Sequence, residues 1–156
     1  MKKTLEPILE KHPFFVGLDE PYLELLTGCA SNLRFKAGDY LFREGDEATQ
    51  FFVIREGSVA LEIFVPGAGA VTMQTVEDGD VVGWSWLFPP YTWHFSGRIV
   101  SPLRVLALDG KCLRDKCEQD HDLGYEFLKR FSRIMVDRLQ TTRLQLLDLY
   151  GTHWRK

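Results

Sequence analysis

The spacing of hydrophobic residues changes twice along the chain and divides it into three parts. In residues 1–30 the apolar positions follow a helical period, with Leu5, Ile8 and Leu9 on one face and Pro13 ending the segment. Asp19 followed by Pro21 is typical of the start of a second helix. This part therefore predicts two short N-terminal helices.

Residues 31–109 alternate between apolar and polar positions, or form short β-rich runs, and turns containing glycine separate them. Such turns occur at residues 37–39, 44–46 and 66–69. The runs 51–54 and 59–65 flank Arg55-Glu56-Gly57-Ser58, a sequence that predicts a hairpin. Short strands at this spacing predict a mainly β fold with some helix, built as a β-roll (a double-stranded β-helix or jelly roll).

Residues 110–150 return to a helical period and predict C-terminal helices, of which the last is long. A seam of residues spaced alternately by four and three runs along this helix: Met135, Leu139, Thr142, Leu146 and Leu149. This is the spacing of the a and d positions of a coiled coil. A β-roll of this size does not cover the whole seam, so we expect a symmetric homodimer through the C-terminal helix.

The length and net charge of the chain argue against binding to nucleic acid or to an anionic membrane. The 156 residues form a single domain (residues 1–156), and 19 Lys+Arg against 22 Asp+Glu give a net charge of -3. This balance is unlike that of nucleic-acid or anionic-membrane binding proteins, and we expect neither DNA nor membrane as a partner. The first residues lack the apolar core of a signal peptide, which favours a cytoplasmic protein.

The cysteines and histidines offer no recognisable metal or catalytic site. Cys29, Cys112 and Cys117 match no zinc spacing, and we expect them to be reduced, small buried or half-buried side chains. His94 and Ser96 are near in sequence, but this does not make them a base and a nucleophile. The sequence therefore predicts neither catalytic residues nor a metal.

The most unusual stretch is Glu77 to Val100, EDGDVVGWSWLFPPYTWHFSGRIV, which holds three of the four tryptophans and two adjacent prolines. Together with HPFFVGLDEPYLELL and FKAGDYLFREGDEATQFFVIREGSVAL, its start resembles the cyclic-nucleotide-binding domain of the catabolite activator protein and protein kinase A regulatory subunit superfamily. The most specific markers are the turn glycines Gly38, Gly45, Gly57, Gly79 and Gly83. The resemblance covers residues 5–149 and implies a regulatory, non-catalytic domain. The chain stops at Lys156, which leaves no room for the helix-turn-helix of the activator.

The resemblance also locates the phosphate-binding cassette, residues 83–96 here, and shows how it departs from the family. The family opens the cassette with Gly-Glu-x-Ala-Leu, whose Glu holds the ribose hydroxyl; here Trp84 takes the position of the Glu and Trp86 that of the small residue. The family closes it with Arg-x-Ala-Thr, and Trp93 takes the position of that Arg. A short helix follows the opening glycine in the family, and its N–H groups can bind an anion. Without Glu and Arg a buried phosphate is uncompensated, so we do not expect ordinary tight binding of cyclic AMP.

The candidate ligand-binding residues are carried over from the family position by position. They are Gly83, Trp84, Ser85, Trp86, Leu87, Trp93, His94, Ser96, Arg98 and Thr142. Arg98 lies five residues beyond the position of the family's arginine. Thr142 corresponds to a hydroxyl that the activator's dimerisation helix delivers to the adenine, although we favour the alternative that it is simply a tolerated residue of the seam.

Two interpretations of this segment remain. If the pocket is open, it binds a cyclic nucleotide or another planar or apolar small ligand, with at most one charge, held by His94 or the backbone amides. If the indoles fill it, there is no ligand; we favour this interpretation, because bulky residues at small-residue positions occupy space. The first describes a stand-alone regulatory or sensory protein without a cofactor, signalling through an unknown protein partner. The second describes an interaction or dimerisation subunit of the same fold.

Overall fold

The computed structural model describes the backbone of residues 2–154 and the side chains of residues 5 and 7–149. Two short helices precede an antiparallel sheet of six strands, and two helices follow it. The elements are α1 (Lys2–Lys11), α2 (Glu20–Thr27), β1 (Ala30–Phe35), β2 (Tyr40–Phe42), β3 (Gln50–Val65), β4 (Gly69–Val76), β5 (Val81–Val82), β6 (Ser96–Asp109), α3 (Gly110–Gln119) and α4 (His121–Trp154). The β-roll with short N-terminal helices and a long C-terminal helix is confirmed.

The two longest strands, β3 and β6, form the centre of the roll. The strand order is β1-β6-β3-β4, while β2 also pairs with β6 and β5 with β3. Opposite residues of β3 and β6 are in register from Gln50 and Asp109 to Glu62 and Ser96, with bulges between. A sheet that twists and bulges over strands of this length curls around its own apolar face.

Alternate residues of β3 supply two separate hydrophobic cores. Phe51 and Val53 belong to a cluster shared with the helices, whereas Phe52 and Ile54 belong to the interior of the roll. This follows from the two-residue period of a strand, whose successive side chains point to opposite faces. We call the first cluster the helix-side core and the second the roll interior. Both matter below, because the tryptophans of the cassette divide between them.

The hairpin predicted at residues 55–58 is wrong, since β3 continues through them as one strand. Three register shifts against β6 occur between Ile54 and Val59, so the strand bends instead of reversing. Gly57 lies at the bend with φ of +110°, and its Cα faces the backbone of Pro102 on β6. A sequence typical of a turn therefore forms a bend within one strand. The local sequence alone does not distinguish such a bend from a hairpin.

The N-terminal helices lie where the sequence predicts. The helix α1 ends at Lys11, two residues before Pro13, and α2 begins after Asp19, which is extended but makes no capping hydrogen bond through its side chain. Leu9 is fully buried in the helix-side core, and Leu5 and Ile8 pack against it. One face of α1 therefore covers the outside of the roll.

A buried histidine connects the end of α1 to the roll. His12 Nδ1 accepts a hydrogen bond from Phe14 N (3.1 Å), so the proton resides on Nε2, which donates to the carbonyl oxygen of Ile54 (3.0 Å). Burial lowers the pKa of His12 from its usual value, although the Ile54 carbonyl and the charge of Asp80 oppose this. Protonation places a second N–H against Phe14 N–H. The folded state consequently favours neutral His12.

We expect acid to weaken the fold through this residue. Because the pKa of His12 is lower in the folded than in the unfolded state, its contribution is complete above pH 6.5 and is lost as the pH falls through the folded pKa. The loss is at most about 1.4 kcal/mol per pH unit. Urea denaturation between about pH 7.5 and 5.5 measures it, with His12→Gln as the control that removes this slope. If the free energy of unfolding fell equally with pH in the wild type and in His12→Gln, the effect could not be assigned to His12.

The expectation of fully reduced cysteines is corrected by the structure. Cys29, just before β1, and Cys112, in α3, form a disulfide with their Cα atoms 5.9 Å apart, and Cys117 alone is free. The two are 83 residues apart in sequence, so only the closed roll brings them together. Burial raises the pKa of the Cys117 thiol to about 11, which leaves it protonated at neutral pH. Disulfides persist in oxidising compartments, so the cysteines do not support the cytoplasmic prediction.

Within residues 2–154 no helix combines the length and apolarity that crossing a membrane requires. The helix α4 is 34 residues long, about 50 Å at the usual rise per residue. Its first turns pack Leu123, Phe127 and Phe131 into the helix-side core. Large apolar side chains on its later turns are exposed: Val136, Leu139, Leu144, Leu146, Leu147 and Leu149.

Candidate functional site

The cassette is a series of turns, without the short helix that the resemblance implies. After β5, residues 85–90 form turns and bends, with Leu87 N donating to Trp84 O (3.0 Å) and a cis peptide bond between Pro89 and Pro90. Two consecutive prolines remove two backbone donors, so a regular helix does not continue there. The expected helix N-terminus for an anion is therefore absent from this segment.

Trp86 is part of the helix-side core. Its side chain is fully buried and stacks on Phe51 at a centroid distance of 5.2 Å, with Phe131 of α4 edge-on at 5.6 Å. Arg114 of α3 donates a hydrogen bond to the Trp86 carbonyl, which ties the cassette to the helix behind it. Trp86 thus offers no surface to a ligand and fixes the cassette onto α3 and α4.

Trp93 fills the roll interior beside the opening glycine of the cassette. Only 4% of it is exposed, and it stacks on Phe42 with centroids 3.7 Å apart and planes at 12°. Its six-membered ring covers Gly83 so closely that a Cβ there would come within 2.7 Å of Cζ3. The indole therefore fills the space next to Gly83, the residue that opens the cassette.

Backbone hydrogen bonds hold Trp93 in this position. Its N–H donates to Asp46 O (2.9 Å) and its carbonyl accepts from Gly45 N (2.8 Å). Ala48 N donates to Tyr91 O (2.7 Å), two residues earlier. The turn at residues 44–48 therefore clamps the end of the cassette on both sides of the indole.

Trp84 remains half-buried and borders a cavity of about 410 Å³ between the roll and α4. We call this the roll–helix cavity. It is lined by Leu61, Met73, Gln74, Trp84, Phe95, Met135, Arg138, Leu139 and Thr142. A volume of this size accommodates a small organic molecule, and the lining is mostly apolar with few polar groups, as is usual for ligand sites.

The wall formed by α4 supplies three residues of the predicted dimer seam. Met135, Leu139 and Thr142 face the roll–helix cavity, and Thr142 Oγ1 donates to the carbonyl of Arg138 one turn earlier (2.9 Å). Leu146 and Leu149 lie beyond the cavity and are exposed. The seam is thus shared between a cavity wall and a free helix face.

The other candidate residues from the sequence lie away from the cavity. Arg98 forms an ion pair with buried Glu62 on β3 (Nε–Oε2, 2.9 Å), Ser96 Oγ accepts from Glu44 N (2.9 Å), and the His94 side chain is exposed. Ser85 is buried and Leu87 packs against the helix-side core. Of the ten candidates, the structure places Trp84 and Thr142 together in the cavity wall.

Two polar residues of the cavity were missed by the sequence analysis. Gln74 on β4 and Arg138 on α4 line it, and Arg138 lies over Trp84 with its Cζ 5.1 Å from the ring centroid. Burial lowers the pKa of Arg138 to about 10, and the charge of Asp80 partly opposes the shift. Arginine on a long helix is ordinarily solvated, so nothing in the sequence distinguishes this one from its neighbours.

The roll, the cassette turn and a cavity bordered by the C-terminal helix are typical of a small sensor or regulatory module. The model of the cyclic nucleotide-binding domain matches residues 32–120, more than half of the chain. The chain belongs to the cyclic nucleotide-binding domain family. Domains of this family are regulatory and not catalytic.

Similar proteins agree with this family. A candidate cyclic nucleotide-binding protein from Geobacter metallireducens is 27% identical, with a TM-score of 0.77 over 86% of this chain and 97% of that one. The cyclic nucleotide-binding domain from Methylobacillus flagellatus (20% identical, TM-score 0.80, 94% and 84% covered) shares the fold. Cyclic nucleotide-gated ion channel 18 of Arabidopsis thaliana is 26% identical over 160 residues. That match takes in 95% of this chain, which spans about a fifth of the channel.

Proposed function

We propose that this protein is a regulatory domain whose tryptophan-rich cassette does not bind a cyclic phosphate and whose roll–helix cavity binds a planar, largely apolar small molecule. The observation that carries the proposal is that the cavity lies between Trp84 of the cassette and α4. A half-buried indole next to apolar side chains favours a flat ligand. We assign no catalytic role to the domain.

The cassette supports the exclusion of a cyclic phosphate. Trp93 occupies the space beside Gly83, and Trp84 replaces a carboxylate that would hold a ribose. Aromatic groups give no compensation for an anion that leaves water. A ligand of this domain therefore lies toward α4, in the roll–helix cavity beside Trp84.

The cavity wall supports signalling through α4. The helix that projects beyond the roll carries Met135, Leu139 and Thr142. A ligand that contacts these residues favours the helix position in which the contacts are made over other positions. The exposed apolar residues farther along α4 provide a surface for a protein partner. Such a partner binds differently when the ligand changes the position of α4.

We expect cyclic AMP and cyclic GMP to bind weakly or not at all. With the phosphate position filled, neither nucleotide should reach a dissociation constant in the low-micromolar range, the roughly 8 kcal/mol regime of a specific site. Titration calorimetry and intrinsic tryptophan fluorescence measure this. Binding at or below that range would show that the cassette accepts a phosphate despite Trp84 and Trp93.

A double substitution distinguishes a divergent cassette from a filled one. Trp84→Glu with Trp93→Arg restores the two polar groups of the family, but it also buries a charge among Phe42, Phe52 and Phe95. We expect this variant to be less stable and to gain no affinity for cyclic AMP. A folded variant that binds cyclic AMP would instead favour a divergent but open site.

The alternative function is a domain of the same fold without a ligand, acting in protein interaction or dimerisation. The burial of Trp86 and Trp93 supports it, because these two indoles are packed into the two hydrophobic cores and offer no surface to a ligand. Under this alternative the roll–helix cavity stays empty, and α4 alone carries the function. A small-molecule screen by thermal shift separates the alternatives, since only an occupied cavity raises the melting temperature.

We further propose that the protein is a homodimer through α4. The seam residues Leu146 and Leu149 are exposed, and their spacing suits the same helix of a second copy. Light scattering at tens of micromolar should give the mass of a dimer, an order of magnitude chosen for a modest interface. Leu146→Asp with Leu149→Asp should give a folded monomer, because both residues lie outside the cavity and the cores.

The control for this experiment is Leu144→Asp. Leu144 is as exposed as its neighbours but lies on the opposite side of α4, about 200° around the helix from Leu146. This variant should remain dimeric. A wild-type monomer, or dissociation caused equally by Leu144→Asp, would contradict an interface at the seam.

A further inference from the structure

The disulfide between Cys29 and Cys112 joins the first strand of the roll to the helix that leads out of it. Cys29 lies directly before β1, and Cys112 lies in the first turn of α3. The helix α3 is followed by α4, with Asp120 alone between them. The bond therefore fixes the connection between the sheet and the C-terminal helix.

Hydrogen bonds that do not involve sulfur keep the two cysteines together. Asp109 N donates to the carbonyl oxygen of Cys29 (2.9 Å), which continues the pairing of β1 with β6 beyond Ala30 and Leu108. The side chain of Asp109 caps α3 by accepting from Cys112 N (3.0 Å). Both contacts are independent of the oxidation state of the sulfurs, so reduction leaves the two thiols within bonding reach. The bond can consequently open and close again without unfolding of the roll.

The two cysteines differ in their access to solvent. Cys29 belongs to the helix-side core and is only 6% exposed, whereas Cys112 is half-buried. Reactive cysteines are partly exposed, and exchange begins with attack of a thiolate on one sulfur of the disulfide. Cys112 is therefore the sulfur that a thiolate from solvent attacks.

The third cysteine does not take part in this exchange. Burial raises the pKa of the Cys117 thiol to about 11, and the charges of Glu118 and Asp120 act in the same direction. A protonated thiol is a poor nucleophile, so Cys117 does not attack the disulfide at neutral pH. The sequence holds three cysteines, and the attacking thiol therefore comes from another molecule.

We propose that Cys29 and Cys112 form a reversible redox switch, in which an external dithiol reduces the bond and so releases the first turn of α3 from β1. A thiolate of the reductant attacks Cys112 Sγ, the bond between the two sulfurs breaks, and Cys29 leaves as a thiolate that takes up a proton. The second thiol of the reductant then displaces Cys112, which also gains a proton, and a disulfide forms in the reductant. Two electrons and two protons pass to the protein.

The release of α3 affects both the cassette and α4. Arg114 of α3 donates to the carbonyl of Trp86 and lies over Tyr91, with its Cζ 4.2 Å from the ring centroid. At its other end α3 packs so closely on α4 that a Cβ on Gly124 would lie 3.4 Å from Cys117 Cβ. The disulfide prevents excursions of α3 away from β1, whereas the remaining contacts are non-covalent and open locally. This inference rests on the proposed function only in that the position of α4 carries the signal.

The test is hydrogen exchange of the full chain, measured by mass spectrometry before and after treatment with dithiothreitol. We expect the amides of residues 110–119 and of the first turn of α4 to exchange roughly 10-fold faster in the reduced protein, because local opening of α3 becomes more frequent. Exchange in β3 and β6 should not change. Oxidised glutathione should restore the slow exchange, since the two thiols remain adjacent.

Two variants separate the members of the pair from the free cysteine. Cys29→Ser should show fast exchange in α3 with and without dithiothreitol, while the matched control Cys117→Ser should respond as the wild type does. Slow exchange in β3 and β6 shows that each variant is folded.

Three results would overturn the switch: unchanged exchange in α3 on reduction, faster exchange throughout the roll, or three free thiols per chain in protein purified without a reductant. The second of these would show a disulfide with a purely structural role. None of these measurements uses a cavity ligand or the mass of the dimer. The switch and the proposed function are therefore tested separately.

Discussion

Replacing Trp93 with alanine should lower the free energy of unfolding by about 3–5 kcal/mol, the usual cost of removing a large buried aromatic side chain. The indole is almost fully buried and contacts three phenylalanines of the roll interior: Phe42, Phe52 and Phe95. Its backbone is clamped by the turn at residues 44–48, so the surroundings cannot close over the space left behind. Urea denaturation measures the loss.

Trp84→Ala is the matched control, because it removes the same side chain from the same segment at a half-buried position. It should cost at least about 2 kcal/mol less than Trp93→Ala. A further check is Gly83→Ala, whose added Cβ overlaps the Trp93 ring. It should be less damaging in the Trp93→Ala background than in the wild type. Equal costs for the two tryptophans would contradict a filled roll interior.

Gly57→Ala should destabilise the protein by about 2–5 kcal/mol. Two effects add: a Cβ would lie 2.5 Å from the carbonyl oxygen of Pro102, and φ is +110°. Overpacking costs about 1–3 kcal/mol, and a left-handed conformation about 1–2 kcal/mol for a residue with a Cβ. The obstructing atom belongs to the backbone of β6, which is held by its pairing with β3 and cannot move aside. Chemical denaturation gives the magnitude.

Gly38→Ala isolates the conformational part of this effect. Gly38 has φ of +94°, but no heavy atom lies within 4 Å of an added Cβ. We expect a cost of only about 1–2 kcal/mol. The difference between the stability losses of Gly57→Ala and Gly38→Ala measures the cost of the steric overlap where β3 and β6 approach closely at the bend. If both variants lost the same stability, the bend would not depend on that approach.

The order of helices and strands could be predicted from the sequence because it depends on signals within a few neighbouring residues. The change from a helical to a strand period, the turn glycines and the helix-ending Pro13 all act over a few residues. The hairpin at residues 55–58 failed because the same turn residues serve a kinked strand when β6 is present to pair along its whole length. The contact of Cys29 with Cys112 likewise depends on the closed roll, which no local signal encodes.

The candidate site could be predicted only in outline. The sequence identified the cassette and the replacement of its polar groups by Trp84 and Trp93. It did not show which indoles are buried, because that depends on the two faces of β3 and on α4. Trp84 and Thr142 line the cavity, whereas Arg98 is engaged by Glu62 across the sheet. Arg138 is unusual only through its burial, a property that a helical sequence pattern does not reveal.

The disulfide between Cys29 and Cys112 determines how a mechanical force crosses the molecule. All six strands lie in the loop of chain that this bond closes. A pull applied to the two ends of the chain passes from α2 through the two sulfur atoms into α3 and α4, so the sheet bears no load. In a force-extension experiment on the oxidised protein, unfolding of the roll should add no length to the molecule. After a reductant breaks the disulfide, the extension should increase by the length of the chain between the two cysteines, which are 83 residues apart.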